Sequence, residues 1–179
     1  TQGFLMNRQR ATNSLNLYES SSHLDYISYV DLVDEVDLGT SCTISFWAKR
    51  ARTDFSGNVF GNDAALVCYF NAAVSVIVRV DDTNDLTFDV ADVATALART
   101  DWVFWTFVRD SSTGGKLYVD GILEDSDTNG SISGTTAISK IGADANNQYS
   151  FMGTIDDATL YTKALSAAEI LRNYNAGKR

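Results

Sequence analysis

The sequence contains no proline and, among its 179 residues, only one histidine and two cysteines. Without proline, turns must depend on glycine, asparagine, aspartate and serine, all of which are plentiful here. The single histidine, His23, and the two cysteines form neither a CxxC pair nor a cysteine–histidine cluster, which excludes a structural zinc site. Cys42 and Cys68 lie in apolar, strand-like runs, and both a disulfide and two buried thiols are compatible with that placement.

Basic residues are also scarce, since 14 Lys and Arg stand against 23 Asp and Glu, for a formal net charge of −9. A surface this acidic repels phosphate backbones, so nucleic-acid binding is not expected. No apolar run approaches the roughly 20 residues that a membrane-spanning helix needs. No signal peptide is visible, although mature chains lose theirs.

We interpret residues 1–179 as a single domain, because the chain shows no internal repeat and no low-complexity segment. The hydrophobic content of 45% is ordinary for a globular domain with its own core. The first segment, TQGFLMNRQRATNSLNL, fits a remnant of cloning, a linker or arm over residues 1–16, or a first strand.

Short apolar runs separated by polar turns recur at intervals of about ten residues, which indicates an antiparallel β-sandwich. The clearest run, CTISFWAK, alternates strictly and places Cys42, Ile44, Phe46 and Ala48 on one face. Further strands are predicted at residues 26–30, 65–70, 74–80, 86–90, 102–109, 116–124 and 151–162. Asp120-Gly121 is the dipeptide favoured in tight hairpins.

One helix is clearly predicted, close to the end of the chain. Ser166 is a natural N-cap, and Glu169, three residues later, completes a capping box. The apolar stripe of this helix consists of Ala167, Ala168, Ile170, Leu171 and Tyr174. Gly177 is expected to end it. Residues 91–100 fit either a helical turn or a loop.

Four stretches carry a family resemblance, namely YVDLVDEVDLGTSCTISFWAKR, WVFWTFVRDSSTGGKLYVDGILE, SKIGAD and GTIDDATLYTKALSAAEILRNYN. In this order they resemble the laminin-G-like domains of the concanavalin A-like lectin/glucanase superfamily. The resemblance covers most of residues 26–177 and implies a jelly-roll β-sandwich of two curved antiparallel sheets with one short C-terminal helix. It implies less about function, because one fold hosts many activities.

The resemblance also implies a structural calcium ion. In this family an aspartate at the position of Asp156, in the Ile-Asp-Asp of the closing strand, often binds calcium between the two ends of the chain. The partner candidates are Asp25, Glu19 and the backbone carbonyls of residues 20–22. Calcium suits such a set because it takes roughly six to eight oxygen ligands. The alternative is that Asp156 accepts backbone hydrogen bonds while Asp157 faces solvent.

Two carboxylates, Glu35 and Asp37, lie on one face of an alternating run, as glycoside hydrolysis could require. Glucanases of the resembling superfamily use a Glu-x-Asp-x-x-Glu run, whereas this sequence has Thr40 at the third position. We therefore interpret the run as a solvated turn. No Ser/His/Asp set or phosphate-binding loop is present, and SSTGGK at residues 111–116 is interpreted as a hairpin turn. No enzyme activity is expected.

Aromatic residues are numerous, and seven of them draw attention: Tyr69, Phe70, Trp102, Phe104, Trp105, Phe107 and Tyr118. Alternation separates Trp102 and Phe104 from Trp105 and Phe107. Each sheet of a sandwich needs only one inward face, so one set is expected to face outward, where aromatic rings stack on sugars or form a subunit interface. The predicted ligand-binding residues are Trp105, Trp102 and Tyr69. A thick core is the alternative.

Acidic loops are predicted at residues 81–85, 124–129 and 143–147, where the side chains fit calcium or sugar binding, or simply turn formation. Together these features favour a non-catalytic, lectin-like module that recognises glycans or a protein surface outside a cell. The alternative is a structural protein, such as a phage capsid decoration, fibre or cell-surface domain, that assembles on a virion or as a homo-oligomer. A glycoside hydrolase is less favoured.

Overall fold

The computed structural model describes residues 15–17, 29–62, 66–81, 84–128, 134–143 and 149–178. Their strands are β1 (Leu15–Leu17), β2 (Val30–Asp37), β3 (Cys42–Arg50), β4 (Gly57–Gly61), β5 (Leu66–Asn71), β6 (Ser75–Asp81), β7 (Asn84–Phe88), β8 (Val103–Asp110), β9 (Gly114–Val119), β10 (Ile122–Asp127), β11 (Ala137–Ile141) and β12 (Gly153–Tyr161). Their helices are α1 (Ala91–Leu97) and α2 (Ala167–Gly177). Neither helix is long and apolar enough to cross a membrane.

The strands form two six-stranded sheets. Sheet 1 has the order β1-β12-β3-β8-β9-β10, and sheet 2 has the order β2-β11-β4-β5-β6-β7. Every pair of these strands that is hydrogen-bonded within a sheet is antiparallel. The last strand lies between the first and the third, and the chain changes sheets repeatedly. The arrangement confirms the jelly-roll sandwich with one short C-terminal helix.

The core lies between the two sheets and follows the predicted alternation of β3. Cys42, Ile44, Phe46 and Ala48 are each at most 1% exposed and face this core. The ring of Phe46 meets that of Phe60 from sheet 2 edge-on, with centroids 5.1 Å apart. Burial of each large side chain of this kind contributes roughly 1.5–3 kcal/mol, so the inter-sheet core is the main source of stability.

The two cysteines lie in this core as free thiols. Cys42 is in β3 of sheet 1, and Cys68 is in β5 of sheet 2. Burial raises the pKa of the Cys42 thiol to about 11 and that of Cys68 to about 12. Of the two alternatives that the sequence allowed, the structure selects two buried thiols without a disulfide, and both stay protonated at neutral pH.

The Asp120-Gly121 hairpin turn is confirmed and does more than reverse the chain. Both residues have positive φ values, 50° and 82°, as a type I′ turn requires. The Asp120 carboxylate accepts the backbone N–H of Phe104 at 3.0 Å and Nη1 of Arg99 at 2.6 Å. It therefore ties the hairpin to the start of β8 and to the segment that follows α1.

Two predictions about acidic segments are wrong. Glu35 and Asp37 lie within strand β2, not in a turn, although both are exposed as expected. Pairing of β2 with β11 extends the strand to Asp37, whose Oδ1 then accepts the N–H of Gly39 at 2.8 Å. Similarly, residues 124–127 belong to strand β10 because they pair with β9.

Candidate functional site

Helix α2 covers the outer face of sheet 1. The ring of Tyr174 lies 5.8 Å from that of Trp47 and 6.0 Å from that of Phe104, while Trp47 and Phe104 are 5.2 Å apart. A small apolar cluster continues this packing: Val108, Tyr118, Leu165 and Ile170. Trp47 and Phe104 are consequently 3% and 4% exposed. Both faces of the central strands of sheet 1 are buried, so that sheet offers no broad open surface to a ligand.

Trp105 lies in the core between the sheets. It is 1% exposed, and its ring centroid is 4.8 Å from that of Phe70. A ring enclosed in this way cannot stack on a sugar from solution, so the prediction of Trp105 as a ligand-binding residue is wrong. Alternation grouped Trp105 correctly with Phe107, but this group faces inward, and the opposite group is covered by α2 instead of solvent.

The other two predicted ligand residues are half-buried and lie in different parts of the fold. Trp102 precedes β8 in sheet 1, where its carbonyl accepts Nη2 of Arg99 at 3.1 Å. Tyr69 lies in β5, in the middle of sheet 2, and its neighbour Phe70 points into the core. Tyr69 therefore faces away from Trp105, and the structure does not join the three predicted residues into one site.

The outer face of sheet 2 carries a row of side chains that crosses four strands. The register places Asn58 opposite Tyr69, Tyr69 opposite Ile77, and Ile77 opposite Thr87. We call these four residues the outer row. Asn58 is fully buried, Tyr69 and Ile77 are half-buried, and Thr87 is exposed. In the part of the chain that the structure describes, α2 packs on sheet 1 and α1 inserts its apolar side chains into the core, so neither helix covers this row.

Charged side chains of sheet 2 are already engaged near one edge. Lys140 of β11 places its Nζ 2.5 Å from Asp31 Oδ1 of β2. The same ammonium lies 5.1 Å from the ring centroid of Tyr29. This pairing neutralises the lysine, so this edge of the sheet contributes little net positive charge toward an anionic ligand.

The Ile-Asp-Asp of the closing strand forms a β-bulge. Asp156 pairs with Trp47 of β3, and the register shifts before Thr159 pairs with Ser45. Asp157 adopts a φ of +49° and is exposed, and its N–H donates to Asp156 Oδ1 at 2.8 Å. A bulge of this kind inserts an extra residue and bends the strand. The Asp156 carboxylate supports this bulge by accepting the Asp157 N–H.

The calcium prediction stays a prediction. Glu19 and Asp25 lie outside the described residues, and within those residues no group of three or more Asp, Glu, His or Cys side chains could hold a metal ion. The register of β1 places Leu15 opposite Ile155 and Leu17 opposite Gly153. Leu17 therefore lies opposite the first residue of β12, three residues before Asp156. The described residues alone do not make a calcium site.

A cavity of about 250 Å³ lies between the β8–β9 hairpin and the segment that precedes α2. Its floor is apolar, from Val108 and Leu165, and its charged side chains are Asp110 and Lys116. The hydrogen bonds of Ser112 to Asp110 lower the pKa of that carboxyl. Among the described residues, Asp110 is the single carboxylate lining this cavity, whereas glycoside hydrolysis uses two facing carboxylates.

Two buried arginines organise the loops at opposite ends of the sandwich. Arg50, at the end of β3, donates to the carbonyls of Ala72, Leu97 and Phe55 at 2.5 to 2.9 Å. Burial lowers its pKa to about 10, so it stays charged at neutral pH. Sequence reasoning missed this role, since a charged residue at a strand end normally indicates solvent exposure.

At the other end of the sandwich, Arg109 of β8 is 1% exposed. It donates to the hydroxyl of Thr136 at 3.0 Å and to the carbonyls of Gly134 and Gly39. The segments that lead into β3 and β11 are thereby held by one side chain.

Comparisons with known proteins agree with this architecture. A family model described as the concanavalin A-like lectin/glucanases superfamily matches residues 24–171. No curated protein sequence matches the chain. Among solved structures, a native heptameric SAP-like pentraxin from Limulus polyphemus is 11% identical, with a TM-score of 0.62, over 88% of this chain and 78% of the pentraxin.

Two botulinum neurotoxin structures are similar over a smaller share of their own length. One is the binding domain of neurotoxin DC in complex with rat synaptotagmin II, at 14% identity and a TM-score of 0.54, over 78% of this chain and 36% of that chain. The other is a structure of neurotoxin type C, whose cell entry is dependent upon interaction with two ganglioside molecules. It is 14% identical, with a TM-score of 0.53, over 76% of this chain and 36% of that chain. This chain spans about a third of each toxin domain.

Proposed function

Because the chain belongs to the concanavalin A-like lectin/glucanases superfamily, we propose that it is a non-catalytic binding module whose ligand contacts the outer face of sheet 2. The observation that carries this proposal is the contrast between the two outer faces. Helix α2 buries the outer face of the central strands of sheet 1, while the outer row of sheet 2 includes the half-buried Tyr69 and Ile77 and the exposed Thr87. A mixture of aromatic, apolar and hydroxyl groups is what a sugar ring or a protein surface contacts.

Binding is favoured over catalysis by the placement of the carboxylates. Among the described residues, a single carboxylate lines the cavity beside the β8–β9 hairpin, and Glu35 and Asp37 are both exposed on one strand, β2. Neither arrangement supplies the two opposed acids of a glycosidase. The proposal assigns the module to an extracellular or cell-surface setting, where the related toxin domains meet their protein and ganglioside receptors.

The experiment is a glycan array screened with the fluorescently labelled full chain, followed by calorimetric titration of the best ligand. Tyr69→Ala should weaken binding by about tenfold, because a contacting aromatic ring is commonly a binding hot spot. The matched control is Tyr161→Ala, which removes a half-buried tyrosine from β12 in sheet 1. Equal affinities for the wild type and Tyr69→Ala would rule out the outer row as the binding surface.

An assembly role is the second candidate, and one surface feature favours it. Ile122, Leu123 and Leu171 are 63%, 49% and 46% exposed, and Leu171 Cδ1 lies close to Gly121, just before β10. Neighbouring exposed apolar side chains often mark contacts between subunits. On a cell surface or a virion, such a contact would join copies of this chain or a partner.

Sedimentation velocity at micromolar concentration tests assembly. A concentration-dependent increase in mass that Leu123→Asp abolishes would support a self-assembling structural protein. A monomer at every concentration would exclude self-association as its role.

A structural calcium ion with Asp156 as one ligand is proposed from the family resemblance and needs its own test. A ligand that binds only the folded state raises stability by RT ln(1 + [L]/Kd), which is ~2.7 kcal/mol at a hundredfold excess over Kd. Calcium should then raise the Tm by several degrees relative to EDTA, and Asp156→Asn should remove that shift. Identical Tm values in calcium and EDTA would restrict Asp156 to its role in the bulge.

A further inference from the structure

Tyr149 differs from the other aromatic residues in exposure. It is 56% exposed, and no other aromatic side chain in the described part of the chain is exposed to this degree. It does not belong to a strand or a helix, and it follows the polar stretch at residues 144–148. A tyrosine ring exposed to this degree can contact a ligand through its apolar face and its hydroxyl.

The backbone of Tyr149 is held in an unfavourable conformation. Its φ is +48°, a left-handed geometry that is uncommon for a non-glycine residue and uncommon above all for a bulky one. Such a conformation costs of the order of 1–2 kcal/mol and persists only where the surroundings enforce it. Residues held in strained conformations of this kind cluster at active sites, ligand clamps and switch regions.

Asn58 supplies the enforcing contacts. Its backbone N–H donates to the Tyr149 carbonyl at 2.7 Å, and its side-chain Nδ2 donates to the same oxygen at 3.4 Å. Asn58 itself is fully buried, and it forms a bridge with Ser150. The chain approaches so closely that a Cβ at Gly57 would lie 2.9 Å from the Ser150 carbonyl. The backbone of Tyr149 is therefore held at its carbonyl, while its side chain remains largely exposed.

Asn58 is also the first member of the outer row, directly opposite Tyr69. Asn58 thus connects the backbone of Tyr149 to β4, the strand at one end of the outer row. We infer that Tyr149 is a ligand-contacting residue, a fixed aromatic platform on which one ring of a neutral glycan stacks at the β4 end of the outer row. This inference rests on the proposed function and specifies one of its contacts.

The chemistry of the surface selects a neutral glycan over an acidic one. The net charge of −9 opposes the binding of sialic acid and sulfate groups. A phenol ring offers an apolar face to the C–H groups of a sugar and a hydroxyl for its polar edge. Neither contact requires charge on the ligand.

The test compares three substitutions at Tyr149 against the wild type, using the tightest-binding neutral oligosaccharide from the array. Tyr149→Phe keeps the ring and should bind within about threefold of the wild type, while Tyr149→Ala and Tyr149→Gly should bind about tenfold more weakly or worse. Tyr149→Gly also relieves the left-handed strain, so its Tm should equal or exceed that of the wild type. Loss of binding with retained stability distinguishes a ligand contact from a structural role.

The outcomes separate this inference from the proposed function. If the wild type binds and Tyr149→Ala binds equally well, the inference is overturned while the binding module stands. A preference for sialylated over neutral glycans overturns the neutral-ligand part. If the wild type binds no glycan on the array, glycan recognition fails and the inference fails with it.

Discussion

Asp157 shows how a single residue shapes the closing strand. Its φ of +49° inserts a bulge into β12 opposite β3, and its neighbour Asp156 accepts its N–H. Aspartate tolerates this left-handed conformation better than most residues, glycine tolerates it at no steric cost, and a β-branched residue tolerates it worst.

The first prediction concerns this bulge. Asp157→Gly should leave the free energy of unfolding unchanged or raise it, whereas Asp157→Val should lower it by about 1–2 kcal/mol. Urea denaturation of both variants measures the difference. Equal destabilisation by glycine and valine would mean that the carboxylate itself, and not the backbone conformation, matters at this position.

Arg50 illustrates a second effect at the scale of one residue. It is 5% exposed, lies 5.7 Å from the Phe70 ring centroid, and donates to three backbone carbonyls from separate segments, namely two loops and the end of α1. Its removal would leave these buried and partly buried carbonyls without this donor, and each such loss costs roughly 1–3 kcal/mol.

Arg50→Met should therefore lower the free energy of unfolding by roughly 3 kcal/mol or more. The matched control is Arg52→Met, two residues later, where the arginine pairs with Asp54 on an exposed surface. The control should change stability by less than about 1 kcal/mol. Comparable midpoints of urea denaturation for both variants would contradict the role of Arg50.

At the scale of the element, helix α2 packs on sheet 1. Two adjacent residues of this helix lie on its buried side and on its exposed side. Ile170 is fully buried, while Leu171 is 46% exposed. Ile170→Ala should destabilise the protein by about 2–4 kcal/mol because it leaves a cavity. Leu171→Ala should cost much less. Thermal unfolding of both variants measures this difference in stability. Similar decreases in Tm would indicate that α2 does not pack as described.

The capping box of α2 makes stability depend on pH. Glu169 accepts the N–H of Ser166 at 2.8 Å and pairs with Lys163 at 2.7 Å, and these contacts lower its pKa from 4.5 to about 2. A carboxyl whose pKa is lower in the folded state contributes stability above its unfolded pKa and loses it as pH falls. The contribution is thus present above pH 4.5 and lost toward pH 2.

Glu169→Gln should therefore have a lower Tm than the wild type at pH 6, and the gap should close as the pH falls from 4.5 to 2. Glu35→Gln, on exposed strand β2, serves as the control and should follow the wild type across this range. A gap for Glu169→Gln that stays constant with pH would exclude a role for its charge.

At the scale of the whole molecule, one core joins both sheets and α1, while α2 packs through a separate small cluster. Buried residues from both sheets and from α1 form a single cluster that includes Phe46, Phe70, Leu97 and Trp105. Unfolding should therefore be one cooperative transition, with coincident urea curves from far-UV circular dichroism and tryptophan fluorescence. Separate midpoints for the two signals would mean that the sheets unfold independently.

Much of the fold could be predicted from the sequence, because strand alternation and capping are local signals. The face of β3 that holds Ile44 and Phe46 and the cap at Ser166 were predicted correctly. Alternation also grouped Trp105 with Phe107, but it could not identify which group faced solvent. That depends on α2 folding back over Phe104, a contact between residues far apart in sequence.

The candidate site was harder to predict for the same reason. Tyr149 belongs to no periodic segment, and its anchor, Asn58, is more than 90 residues away, so no local pattern joins them. Only the register of sheet 2 places Asn58 beside Tyr69. A weak local indication was that Tyr149, an aromatic residue, follows a stretch of turn-forming polar residues.

The two buried arginines have a consequence for how such a module can diversify. Most of the bonds that Arg50 and Arg109 make go to backbone carbonyls, which every amino acid possesses. Loop sequences at either end can therefore be exchanged, by evolution or in a combinatorial library, while the same two guanidinium groups still donate hydrogen bonds to the backbone of the new loops. The sandwich can therefore serve as a scaffold on which loops with new binding specificities are grafted without redesign of the core.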